Sequence, residues 1–158
     1  MNQSQIHLAL THLPVILTLT GLVVLIISLF IKNTVVTKVA FYVLIGAAVF
    51  ALPVFFSGEG AEEAVEHVPG VSASMIERHE NVANVSIYIV IATGLFAMGG
   101  LLRVSGKPLL FAARYFVLIA ALFSSALMVW TAHLGGQIRH SEIAQSTVQD
   151  NAYEERHE

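Results

Sequence analysis

The sequence predicts an all-α fold, an integral-membrane up-and-down bundle of four helices with a short outer-side helix between the second and third. Three observations predict it. Four stretches, residues 13–31, 36–56, 82–102 and 109–132, are continuously apolar, and each has close to the roughly 20 residues that a helix needs to cross a hydrocarbon core of ~30 Å. The connections at 32–35 and 104–108 are short, which makes the helices they join antiparallel neighbours. Finally, 56% of the residues are hydrophobic, only 12% are charged and the mean hydropathy is +0.73, whereas about a quarter of a soluble domain is charged.

The same figures exclude other classes. A length of 158 residues allows one domain. A net charge of −3 leaves no overall basic footprint for a nucleic acid. Cysteine is absent, which removes disulfides, thiolate metal ligands, iron–sulfur clusters and covalently attached haem.

The elements follow in order. Residues 1–5 carry no positive charge, the first apolar run is too long for a signal peptide and no small-residue cleavage site follows. The run therefore reads as a retained span. Pro14 removes the amide that would bond Leu10 and tilts or starts the helix there. The second span carries Gly46, Ala47, Ala48 and Ala51, and the third Gly94, Ala97, Gly99 and Gly100. Small residues of this kind let membrane helices approach closely. Between them, Glu59, Glu62, Glu63 and Glu66 recur at helical spacing with Ala61, Ala64, Val65 and Val68, until Pro69-Gly70 stops the short helix. Ser74 and Glu77 have the spacing of a capping box opening the third helix. Arg114, early in the fourth span, lies within snorkelling reach of the interface. Residues 1–142 form the membrane domain, and 143–158 a polar, frayed tail.

Charge orients the bundle. Lys32, Lys38, Arg103, Lys107 and Arg114 flank the two short loops with no acidic neighbour, so by the positive-inside rule these loops face the cytoplasm. Both termini and the 57–75 loop then face the periplasm of a bacterial inner membrane that the chain crosses several times. All eleven acids and all seven histidines fall on that outer side.

His12, His79 and His133 border the first, third and fourth spans at similar depth, and His7, His67 and His140 lie one to two turns further out. Imidazoles from three helices, with carboxylates Glu59, Glu62 and Glu63 from the outer loop, describe a metal or cofactor site in the bundle core. A single interfacial histidine is more often structural; six converging ones point to a ligand. The acidic face is either a solvated surface, a docking patch or a set of ligands folded over the site. His133 and His140, seven residues apart, share one face with Gly135-Gly136 between them. That leaves a flat place for a porphyrin, with Arg139 beside a propionate, although a glycine pair more commonly serves packing or a helix end. His7 and His12, five residues apart, point about 140° apart on an unbroken helix and need not serve one centre.

His7-x-x-x-x-His12-Leu13-Pro14 and Gly135-Gly136-x-Ile138 resemble a bacterial four-helix membrane-domain family of unknown function. Its members open with His-Pro-x-x-Val-His-Phe-Pro and close with Gly-Gly-x-Leu-Val-Tyr. The resemblance covers all four helices, including a histidine opening the third, here His79. This chain lacks the opening proline, has Arg139-His140 in place of Val-Tyr and is richer in acids after Ser57, as a histidine-rich branch would be. The family's domain occurs fused to cytochrome c and Rieske-type domains, so the resemblance implies association with redox modules.

The leading expectation is a b-type cytochrome-like electron-transfer protein. Its one or two haem b groups would be held by His12, His79, His133 and His140 in pairings left open, with Arg139 assisting. Electrons would pass near the outer face, from quinol to a basic periplasmic carrier. The second is a non-haem copper, iron or zinc centre drawing on His7, His12, His67, His79, His133, His140, Glu59, Glu62 and Glu63; the Glu-x-x-His pair of di-iron bundles is missing from residues 1–142. The third is an accessory subunit of a larger respiratory complex. A pump fits less well, because no ionisable group lies at mid-span.

Overall fold

The computed structural model describes residues 3–65, 71–104, 107–108 and 110–154, with side chains described for residues 5, 7–63, 71–102 and 113–138. The chain forms α1 (Gln3–Leu10), α2 (His12–Ile31), α3 (Thr34–Phe56), α4 (Gly58–Val65), α5 (Ala73–Leu101) and α6 (Leu110–Glu154). Two-residue strands β1 (Arg103–Val104) and β2 (Lys107–Pro108) pair antiparallel between α5 and α6. The all-α expectation holds, with this small hairpin as an addition. Four helices are long and apolar enough to cross a membrane: His7–Ile31, Thr34–Phe56, Ala73–Leu101 and Ala113–Ile138. In α6 the helical backbone continues through the segment read as a frayed tail, as far as Glu154.

The helix ends have local causes. Thr11 marks the boundary of α1 and α2 while keeping helical dihedrals: its amide bonds the His7 carbonyl at 2.9 Å, its hydroxyl turns back to the same oxygen, and α2 begins at His12 just before Pro14. The boundary sits where the missing proline amide leaves the ladder short of a donor. At the other end of α2, Lys32 takes a left-handed conformation with φ 51°. The Asn33 side chain then accepts the Val35 and Val36 amides at 2.9 and 3.4 Å, so two residues turn the chain into α3. Such a short turn imposes the antiparallel hairpin.

The start of α5 corrects one expectation. The cap is Ser72, not Ser74: Ser72 is extended and its Oγ accepts the Met75 amide at 3.3 Å. Ser74 lies inside the helix, where its Oγ is 3.1 Å from that of Ser72. Glu77 is therefore two positions too late for a capping box.

Around the bundle α2 packs on α3, α3 on α5, α5 on α6, and α6 closes on α2, while α3 and α6 are diagonal. Helices α1 and α4 lie against each other at the outer end, where α1 also meets α3. The polarity of the packing is that of a membrane protein. Exposed positions carry Ile16, Val23, Phe30, Tyr88, Phe116 and Phe123, while Ser28, Thr37, Ser86, Thr93 and Ser124 are buried. Two layers form the apolar core: Leu22, Leu25, Phe41, Leu44 and Val117 with Ala40, Ala97 and Ala121 towards the short-loop end, and Ala51, Ile87, Val90 and Met128 towards the other.

Burying apolar atoms yields little when the solvent is itself hydrocarbon, so close packing and hydrogen bonds must hold these helices together. Both are present. A Cβ on Gly94 would lie 2.6 Å from that of Ala48, one on Gly100 would lie 2.8 Å from that of Ala113, and one on Gly21 would lie 2.7 Å from the Leu44 side chain. The small-residue reading thus holds at Gly94 and Gly100 but not at Gly46 and Gly99, which face nothing within 4 Å. Hydroxyls bridge helices as well: Thr37 donates to Ser28 at 3.1 Å, and Thr93 with Ser124 and Ser86 with Thr131 each meet at 2.8 Å. Replacing Gly94 with Leu overpacks the α3–α5 contact and should destabilise the protein by about 1–3 kcal/mol. Gly99→Leu should stay within about 0.5 kcal/mol of the parent. Thermal unfolding in detergent reads the difference.

Candidate functional site

At the outer end of the bundle two of the described histidines, His7 and His79, lie within Coulombic reach of each other. His7 lies on α1, where that helix crosses the end of α3. Its Nδ1 is 2.9 Å from the Val54 carbonyl oxygen. Val54 belongs to the last turn of α3, where carbonyls lack a partner within their own helix. A carbonyl can only accept, so Nδ1 carries a proton, and in the neutral ring that leaves Nε2 as the ligating nitrogen. Ser57 supports this arrangement, donating to the same carbonyl at 3.0 Å with its Oγ 3.3 Å from His7 Nδ1. Gly58, opening α4, packs beside the imidazole; a Cβ there would make ordinary contact, 3.7 Å from Cε1.

His79 comes from the second turn of α5 and is partly buried. Its Nδ1 is sealed from solvent and makes no well-formed hydrogen bond, the Thr131 main chain being the polar group beside the ring. Opposite it on α6, Gly135 opens the space that the ring fills: a Cβ there would lie 3.2 Å from Cε1 and 3.5 Å from Nδ1. The alignment of α5 with α6 is set below the site by hydroxyls. Ser86 and Thr131 meet at 2.8 Å; one hydroxyl donates across and the other donates back to its own helix, Ser86 to Val82 at 2.7 Å or Thr131 to Leu127 at 2.9 Å.

The remaining candidates do not join this pair. His12, the first residue of α2, is exposed, as expected for a position about 140° round the helix from His7. His133 is exposed too, with Nε2 3.1 Å from Gln137 Nε2 and its ring 5.7 Å from that of Trp130. It precedes Gly135 by two residues, about 200° round α6, and so points away from the face that receives His79. Similar depth, which spacing along the chain reveals, does not guarantee a shared direction. Glu59 and Glu63 are exposed and Glu62 is partly buried. His67 lies outside the described residues, as do the side chains of Arg139 and His140. Among the described residues no group of three or more histidines, aspartates and glutamates is arranged to hold a metal ion.

Sequence reasoning missed Val54, Ser57, Gly58, Ser86 and Thr131. Val54 acts through its main chain, which no side-chain pattern reveals, and the hydroxyls are spaced like any residues that back-bond within a helix. Gly135 was legible, but what lies against it is an imidazole of the protein, and Gly136 faces nothing within 4 Å.

Substituting valine at Gly135 should push the His79 ring out of its niche, shifting its imidazole resonances in NMR spectra and lowering the unfolding temperature. The same change at Gly136 should leave both where they were. Among known proteins, no family model, no curated protein and no solved structure matches this chain.

Proposed function

We propose that the chain is a membrane-anchored, b-type cytochrome-like electron-transfer protein whose haem is held by His7 and His79 at the outer end of the bundle. One observation carries this reading: an imidazole on α1 whose Nδ1 proton is held by the Val54 carbonyl lies within Coulombic reach of a second on α5, whose buried Nδ1 has only the Thr131 main chain nearby and no well-formed hydrogen bond. A metal-ligating histidine characteristically donates its second ring nitrogen to a carbonyl, which fixes the tautomer and orients the ring. The buried Nδ1 of His79 lacks a well-formed hydrogen bond, an unfavourable state for a polar atom that serves no ligand.

Two imidazoles match haem better than a bare ion. A porphyrin supplies four nitrogens and asks the protein for one or two axial ligands, whereas a copper, iron or zinc site built from side chains needs three or four. The non-haem reading would require a third donor such as His67 or His140. When bound, haem supplies a one-electron couple. The protein's own residues do the rest: Val54 and Ser57 orient His7, and Gly135 with the Ser86–Thr131 tie positions His79. The exposed apolar belt keeps the site at a fixed depth in the bilayer.

The five basic residues around the two short loops lie at the opposite end from this site, which supports cytoplasmic loops and periplasmic termini in a bacterial inner membrane. The site would then exchange electrons at the periplasmic face, with quinol in the bilayer as donor and a basic soluble carrier as acceptor. Exposed Glu59 and Glu63 on α4, next to His7, would favour such a carrier. Membership of the four-helix family associated with redox modules, and service as a subunit of a larger respiratory complex, are compatible with the same site.

The visible spectrum of the purified full-length protein tests the proposal. A Soret band that shifts on dithionite reduction is expected. His7→Ala and His79→Ala should each abolish or strongly reduce it, while His12→Ala and His133→Ala retain it. A colourless protein, or one whose band survives both inner substitutions, overturns the assignment, and metal analysis of a colourless sample then separates an ion-binding protein from an accessory subunit.

A further inference from the structure

A second feature of the outer end is unrelated to the histidine pair. At the start of α5 a shallow cleft of about 280 Å³ opens between α5 and α6, lined by Ser74, Met75, Arg78, Leu134 and Gln137. The Arg78 guanidinium carbon stands 5.8 Å from the centre of the Trp130 ring. Among the described residues Arg78 has no ion-pair partner. It is thus an exposed cation resting on an aromatic face, with its charge uncompensated by the protein.

Position says what would compensate it. Trp130 is 17 residues beyond Ala113, where the fourth span begins, or about 25 Å along the helix at 1.5 Å per residue. That places the ring near the edge of a ~30 Å hydrocarbon core, where tryptophan is characteristically enriched. The ring is itself exposed, as are its neighbours Val129 and Phe123 on the apolar surface below. A molecule in the cleft therefore has a cation and polar donors at its head and an apolar helix surface leading away from it.

The acidic residues nearby lie off this face. Ser74, Met75 and Arg78 are spaced i, i+1 and i+4 along α5 and share one side of the helix. Glu77 and Glu80 are about 100° and 200° round from Arg78 and are not among the residues lining the cleft. The cleft is the one place on the acidic outer end where a described side chain offers an uncompensated positive charge at membrane depth.

We infer that this cleft binds the phosphodiester headgroup of an anionic glycerophospholipid. Arg78 pairs with the phosphate, Gln137 and Ser74 offer further donors, and the acyl chains run down α6 past Trp130. Arginine suits the role because its planar guanidinium stacks on the ring and pairs with phosphate through separate faces and edges.

The chain has a single tryptophan, so its fluorescence reports occupancy of this site without background. The full-length protein is reconstituted in phosphatidylcholine vesicles containing a minority of brominated phosphatidylglycerol or, in parallel, brominated phosphatidylcholine. Per molecule of brominated lipid, phosphatidylglycerol should quench Trp130 about fivefold more effectively, the preference one basic residue near the surface confers. Arg78→Gln should reduce the ratio to about one, and Ser74→Glu, at an exposed position that leaves Arg78 in place, should do the same if the first variant fails to fold. Equal quenching by the two lipids in the parent protein, or a preference that survives both substitutions, overturns the inference. So does loss of the preference on adding inorganic phosphate at an ionic strength where chloride has no effect, since the cleft would then be a site for the free anion.

Discussion

The alignment of α5 with α6 is the constraint on which the rest depends. In hydrocarbon, neither helix gains by hiding leucine or valine from its surroundings, so register is set by atoms that touch only in one alignment. Here these are the hydroxyl pairs Ser86–Thr131 and Thr93–Ser124. One turn of α6 beyond Thr131, the same alignment places Gly135 against the His79 ring. A slip of one residue would rotate the glycine by about 100° and put a side chain where the imidazole sits. The tie between these helices is thus structural in the bilayer and positional at its outer edge.

The other half of the pair depends on a different device. His7 is held by the end of α3, through a carbonyl that has run out of intrahelical donors and a serine that reads the same oxygen. Helix α1, which runs into α2 through Thr11 with helical dihedrals, meets α4 and α3. The end of α3 and the serine that follows it therefore act together to hold that imidazole.

How much of this was legible in the sequence follows from what each signal measures. Apolar run length located all four membrane-crossing helices, because that signal sums over some twenty residues and tolerates local exceptions. Distance from the end of a span is likewise a count of residues along the chain. Direction was not legible: His12, His79 and His133 lie comparably close to the ends of their spans, yet only His79 faces inward. The azimuth of each depends on which face of its helix is packed, and spans that are apolar all round do not announce that face. The missed cap at Ser72 has a similar cause, because two serines two residues apart carry equal capping potential and only the path of the preceding chain chooses between them. Gly21 escaped notice because small residues on α2 are sparse, whereas Gly94 and Gly100 stood among others.

The central claim is that His7 and His79 face each other and that His133 does not take part. The absence of cysteine allows a direct measurement, since any thiol introduced is the only one present. The double variant His7→Cys/His79→Cys, treated in membranes with a short bifunctional thiol reagent, should cross-link internally and yield a product of unchanged mass class whose free thiols are gone. His79→Cys/His133→Cys, treated alike, should retain its thiols. Cross-linking in the second pair with none in the first would contradict the account.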